Sequence, residues 1–162
     1  MLFISLLLIL VLSFCFVGIF LGAPYMPTLN KQVEIALELA ELKKGDTLLE
    51  LGCGDGRVLI AAAKKDIKAI GYEINPFLVL ICYLRTIKYR QLVQIKWGNY
   101  WDKSWPAADI VFVFLISRYM EKLDKRLNNY PYKPIKLISF AFKIKGKRIT
   151  KSKNGLFLYI YK

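Results

Sequence analysis

The sequence predicts an α/β fold: a Rossmann-like, mainly parallel sheet closed by an antiparallel hairpin and preceded by one transmembrane helix. Three observations predict it. Short apolar runs alternate with helical stretches from residue 47 to residue 142, the pattern of strand–helix units with a parallel sheet. Asn154-Gly155 sits between two short β-prone runs, a strong hairpin signal. Residues 1–30 carry no Asp, Glu, Lys or Arg, and residues 1–22 form an apolar run near the ~20 residues a helix needs to cross a bilayer.

The elements follow in order. The apolar run lacks the basic start and small-x-small exit of a cleaved signal peptide, so 1–22 reads as a retained membrane helix. Residues 23–30, with Pro24 and Pro27, form a linker, and 31–162 form the body. Basic residues all follow the apolar run, which places the body on the cytoplasmic side. Val33, Ala36, Leu37 and Ala40 mark an amphipathic helix with Asn30 as N-cap and Gly45 just past its end. It is expected to cover one edge of the sheet. Strands are expected at 47–51, 68–74, 92–97, 109–116 and 135–142, with helices at 57–65, 76–89 and 117–129. The run at 109–116 is continuously apolar after Asp109, as in a strand buried on both faces.

Composition narrows the chemistry. The 162 residues contain no His, which excludes His-based triads, Cys–His pairs and His-ligated metals. Cys15, Cys53 and Cys82 are scattered and form neither a disulfide framework nor a zinc motif; no metal is expected. Lys and Arg number 25 against 12 Asp and Glu, a net charge of +13. Across 133–162 there are nine basic residues and no acidic one. Beside a membrane helix, such a tail suits anionic headgroups better than nucleic acid.

The informative motif is Glu50-Leu51-Gly52-Cys53-Gly54-Asp55-Gly56-Arg57, between a strand and a helix. Its glycines permit a tight turn and close backbone approach to a ligand. A dinucleotide fingerprint needs its third Gly at the position of Arg57. Here it comes one residue early, which disfavours a pyrophosphate and favours another nucleoside. Glu73, at the end of the second strand, is placed to accept the hydroxyls of a ribose.

These residues resemble motifs I and II of the class I S-adenosylmethionine-dependent methyltransferases. Together with Pro24-Tyr25-Met26-Pro27-Thr28, Gly71-Tyr72-Glu73-Ile74-Asn75-Pro76 and the Leu158-Tyr159-Ile160-Tyr161-Lys162 ending, the chain is similar to one subgroup. That subgroup comprises the membrane-anchored protein lysine methyltransferases of the ATP synthase c-ring protein and the adenine nucleotide translocator, with their prokaryotic relatives. The resemblance implies S-adenosyl-L-methionine as cofactor. Gly52, Cys53, Gly54, Asp55 and Gly56 would hold its methionine part, and Glu50 would orient the loop or meet the amino group. Glu73 would bind the ribose, flanked at the adenine by Ile74 and Asn75. Gly98, Asn99, Tyr100 and Trp101 would wrap the adenine edge; many relatives have Asp in place of Asn99. Thr28, in the Pro-Thr pair, would close over the cofactor.

The acceptor is expected to be a Lys of a membrane protein. The fourth strand runs on as Phe112-Val113-Phe114-Leu115-Ile116, without the Asn/Asp-Pro-Pro-Tyr motif of enzymes acting on base amines or glutamine. Tyr25, Trp101, Phe114 and Tyr119 are candidates for an aromatic slot. No general base is named. A small or lipid-like acceptor, an RNA acceptor, and a cofactor-binding module without turnover are the alternatives.

Overall fold

The computed structural model describes Ser5 and residues 28–162. Apart from Ser5, the expected membrane helix at 1–22 lies outside the described residues, as do Pro24, Tyr25 and Pro27. Among the described residues, no helix is long and apolar enough to cross a membrane.

Seven strands form one mixed sheet: β1 (Thr47–Leu51), β2 (Lys68–Glu73), β3 (Val93–Trp97), β4 (Ile110–Val113), β5 (Ile135–Phe140), β6 (Lys151–Lys153) and β7 (Leu156–Tyr161), in the order β3-β2-β1-β4-β5-β7-β6. The first five are mutually parallel, and β7 runs antiparallel between β5 and β6. The β6–β7 turn has Asn154 at φ 50° and Gly155 at φ 79°, as a two-residue hairpin turn with two left-handed positions requires. The helices are α1 (Asn30–Ala40), α2 (Arg57–Ala63), α3 (Pro76–Thr86) and α4 (Met120–Asn128).

Alternation along the strands divides the core. Leu48, Ile110, Phe112 and Ile138 face α1, α2 and Cys82 of α3. Leu49, Leu51, Val111, Val113 and Leu137 face Leu123 and Leu127 of α4, with Trp105 and Tyr130. β4 is buried at every position, as its continuous apolar run predicts.

Several boundaries differ from the sequence expectation. Leu29, not Asn30, occupies the N-cap position of α1, and no side chain caps it. The helix ends at Ala40 because Glu41 turns left-handed, at φ 53°. Gly45 instead closes a later turn, its N–H donating to the Asp66 carbonyl at 3.1 Å. α1 packs on α2 and on the β5–β7–β6 end of the sheet, and Lys151 pairs with Glu41 across that contact. The strand expected at 109–116 stops at Val113, where Phe114 leaves to pack on Phe140 and Phe142. The strand expected at 135–142 stops at Phe140, since Ala141 adopts φ 67°.

Gly71 fixes how closely the loop after β1 approaches the sheet. A Cβ there would lie 2.7 Å from the Cys53 side chain and 2.7 Å from Leu59. A glycine inside a strand commonly marks such an approach. Gly71→Ala should therefore destabilise the fold by about 1–3 kcal/mol through overpacking, read as a lower urea midpoint. An unchanged midpoint would show that this contact is slack.

Candidate active site

The site forms where β1 and β2 end and the chain turns into α2 and α3. The N–H groups of Gly52 and Cys53 both donate to the Tyr72 carbonyl, at 2.8 and 2.9 Å, and the Gly56 N–H closes the turn on the Cys53 carbonyl at 2.9 Å. Gly56 has φ 79°, and a Cβ on it would lie 2.5 Å from Cys82 Sγ. The third glycine of the motif thus serves packing against α3. Its spacing from Gly54 follows from that contact.

Glu73 ties the two turns together. Its Oε2 accepts the N–H of Gly54 at 2.9 Å, and its Oε1 accepts those of Ile74 and Asn75 at 2.9 and 2.8 Å. A carboxylate offers about four acceptor positions, so capacity remains for one more donor. Asn75 caps α3 through its side chain, which accepts the Phe77 N–H at 2.9 Å, with Pro76 as the first helical residue.

Asp55 turns away from the loop's interior. It accepts from Arg57 Nε at 3.0 Å and Nη2 at 2.8 Å, and it pairs with Arg85 of α3. Burial raises its carboxyl, but the bond and charge of Arg57 and the charge of Arg85 outweigh that and hold it below the usual value. Arg57 also donates to the carbonyl of buried Thr28 at 2.9 Å. Thr28 thus joins the loop through its backbone.

Glu50 stands apart. It is 5% exposed, and its Oε2 has no hydrogen-bond partner among the described residues. Burial, followed by Cys82, Glu73 and Asp55, pushes its carboxyl well above the usual range. A buried unpartnered acceptor is costly unless something meets it, and a cationic ligand group is a fitting partner. The neighbouring Cys53 thiol is raised by its hydrogen bond with Cys82 and by burial.

The turn after β3 supplies the remaining predicted residues. The Gly98 N–H donates to the Glu73 carbonyl at 2.8 Å. Asn99 accepts the Trp101 N–H at 3.0 Å and donates to Asp102 at 2.8 Å. Its side chain therefore shapes this turn. Tyr100 and Trp101 lie 4.9 Å apart, and Trp101 lies 6.1 Å from Tyr119; burial raises the Tyr100 hydroxyl far above its ordinary value. The three expected slot residues that are described fall into two clusters. Trp101 and Tyr119 form one cluster, Phe114 joins Phe140 and Phe142 in another, and Tyr25 lies outside the described residues.

Sequence reasoning missed three participants. Arg57 and Arg85 neutralise Asp55, and Trp97 Nε1 donates to the Ile74 carbonyl at 3.1 Å beside the turn. Arg85 lies 30 residues from Asp55, on a helix with no local sign of the pairing. Among the described residues, no His, Cys, Asp and Glu group could hold a metal ion.

This strand order, the glycine turn after β1 and the carboxylate ending β2 define a class I S-adenosylmethionine-dependent methyltransferase, with S-adenosylmethionine as its cofactor. The residues fit that cofactor: Glu50 keeps a buried oxygen unmet among the described residues, two positions before the exposed Gly52 of the glycine turn. Residues 50–151 match the family described as the ANTKMT methyltransferase domain, and the chain belongs to it. A protein-lysine N-methyltransferase of Saccharolobus islandicus is 31% identical over 149 residues, covering 85% of this chain and 92% of the relative. The human lysine N-methyltransferase of the ATP synthase c-ring protein is 34% identical over 108 residues, 64% of this chain and 45% of that protein. The chain thus spans under half the length of this human relative. A Salinibacter ruber RNA methyltransferase solved with S-adenosyl-L-homocysteine superposes with a TM-score of 0.77 at 26% identity, covering 84% of this chain and 92% of that one.

Glu50 carries a pH signature. Its carboxyl is raised in the folded state, so that state keeps the proton to higher pH than the unfolded chain. Above the ordinary carboxylate value, stability falls as pH rises toward the folded value. Glu50→Gln removes that loss. Without cofactor, the variant's urea midpoint should gain on the parent's as pH rises above the ordinary carboxylate value of about 4.3. A constant gap between the two midpoints would assign Glu50 an ordinary solvated carboxylate.

Proposed function

We propose that this chain methylates the side-chain amine of a lysine in a membrane protein, with residues 1–22 as a membrane anchor, 23–30 as a linker and 31–162 as the catalytic body on the cytoplasmic side. The observation that carries the lysine reading is the similarity, over nearly the full length of both chains, to the archaeal protein-lysine N-methyltransferase. The membrane reading rests on the charge-free stretch 1–30 and on the human relative that acts on the ATP synthase c-ring protein.

S-adenosylmethionine supplies, when bound, a methyl group activated on a sulfonium. The chain's own residues bind and orient. Backbone groups of Gly52, Cys53 and Gly54 border the methionine part, with Glu50 as counter-charge to its ammonium. Glu73 takes the ribose on its remaining acceptor capacity, while Ile74, Asn75 and the Gly98–Asn99–Tyr100 turn flank the adenine. The acceptor amine must arrive without its proton, and a free Lys has a pKa of about 10.4. Burial against Tyr100, Trp101 and Tyr119 disfavours the ammonium form. With the amine neutral, positioning supplies much of the rate.

Two measurements test this. Mass spectrometry of membrane proteins from cells with and without the enzyme should show a lysine that gains methyl groups only when it is present; gain on RNA or a small molecule instead would replace the reading. Glu73→Ala should weaken cofactor binding by roughly 10- to 150-fold in calorimetry, because it removes a charge-assisted contact and frees the Gly54 N–H. A loss under about threefold would remove Glu73 from the ribose site.

A further inference from the structure

Helix α3, Pro76–Thr86, is apolar on both faces, yet the fold buries only one. Cys82 and Thr86 point into the core. On the other side Leu80, Ile81, Leu84 and Ile87 recur at helical spacing and stand 56%, 42%, 60% and 53% exposed. Tyr83 at 61% and Trp97 at 67%, the latter on edge strand β3, extend the patch. A helix that is hydrophobic all round is normally buried all round. Contiguous exposed apolar patches of this kind mark interaction sites.

We infer that the outer face of α3 and the adjoining edge at Trp97 form a second, monotopic contact with an anionic bilayer surface. Charge argues for lipid as the occupant. The stretch 74–101 contains Arg85, Lys88, Arg90 and Lys96 and no acidic residue. Arg85 is taken by Asp55 and Lys96 lies over the Tyr72 ring on the other face of the sheet, but among the described residues Lys88 and Arg90 have no carboxylate within salt-bridge reach. Apolar residues rimmed by cations, with Trp and Tyr at the boundary, form the pattern of an interfacial helix. The charge-free segment before Thr28 offers nothing to those cations, and a second copy of a chain with net charge +13 would repel them. Placement agrees. Arg57 holds the Thr28 carbonyl and pairs with Asp55, which pairs with Arg85 of α3, so Thr28 is tied to the helix that carries this face.

The basic tail lacks the apolar half of such a surface: among its large hydrophobic residues only Ile160 is exposed, and part of its charge is committed. Lys147 is paired to Asp124, Lys151 to Glu41 and Lys153 to Glu38. Lys133 and Lys136 donate to the carbonyls of Asn128 and Ala40. The tail's hairpin also lies six strand spacings from β3, roughly 29 Å, so one flat bilayer does not meet both edges equally.

The test uses the full chain on vesicles whose acyl chains carry bromine, a contact quencher of Trp. Emission of Trp97 is obtained by difference from Trp97→Phe. In vesicles of phosphatidylcholine with phosphatidylglycerol it should fall about twofold or more; raised salt, pure phosphatidylcholine or the pair Lys88→Gln and Arg90→Gln should reverse most of the fall. Leu80→Glu with Leu84→Glu should abolish the fall and leave cofactor affinity unchanged, which shows that the body is folded. Trp97 emission insensitive to bromine in every vesicle overturns the inference, including the case in which the preceding segment or a second copy covers the face. The contact and the anchor are separable: a chain stripped from vesicles by alkaline carbonate but quenched at neutral pH would refute the anchor and keep the contact.

Discussion

A single buried carboxylate sets the geometry on which the rest of the site depends. Glu73 accepts three backbone N–H groups, one from the turn after β1 and two from the turn after β2. Bonds of this charge-assisted kind are shorter and stronger than neutral ones. They hold the mouths of adjacent parallel strands at a fixed separation, in the crevice beyond the strand ends where open α/β sheets bind their ligands. Glycine is needed where packing demands it: Gly71 admits Cys53 against the sheet, and Gly56 admits Cys82 against the turn. The acidic residues there have distinct electrostatic environments. Asp55 is neutralised by two arginines, Glu73 is held by three amides, and Glu50 keeps one buried oxygen without a partner among the described residues.

The parallel strands and their order of appearance were legible in the sequence because each is a short, mostly apolar run set between helical stretches and turns. The hairpin was legible because Asn-Gly has few other uses. Boundaries were less so. Nothing in Phe114 or Ala141 announces that the chain leaves the sheet there; rings that pack across a gap and a left-handed alanine are decided by tertiary contacts. The same holds for Glu41, whose left-handed conformation ends α1 four residues before the glycine that promised to do so. In the site, the Gly turn and the acidic strand end carry local signals. The Arg85–Asp55 pair and the Trp97–Ile74 bond link residues distant in the chain and leave none.

Charge also reads differently in three dimensions. The tail is the most basic stretch of the body by count, yet three of its nine cations are paired with Glu38, Glu41 and Asp124, and it exposes little apolar surface beside the others. Counting cations along a chain measures what is available before folding. What a partner meets is the remainder, and in this protein the uncommitted cations beside an apolar face lie at the opposite edge of the sheet.

The clasp at Thr28 has a mechanical consequence. Arg57 grips the Thr28 carbonyl with one nitrogen and Asp55 with others, and both acidic and basic partners border the glycine turn. A displacement of Thr28 is therefore felt at the glycine turn as directly as at α1, which the chain enters two residues later. The start of the described body is clasped to the ligand turn itself, so the position of one sets the position of the other.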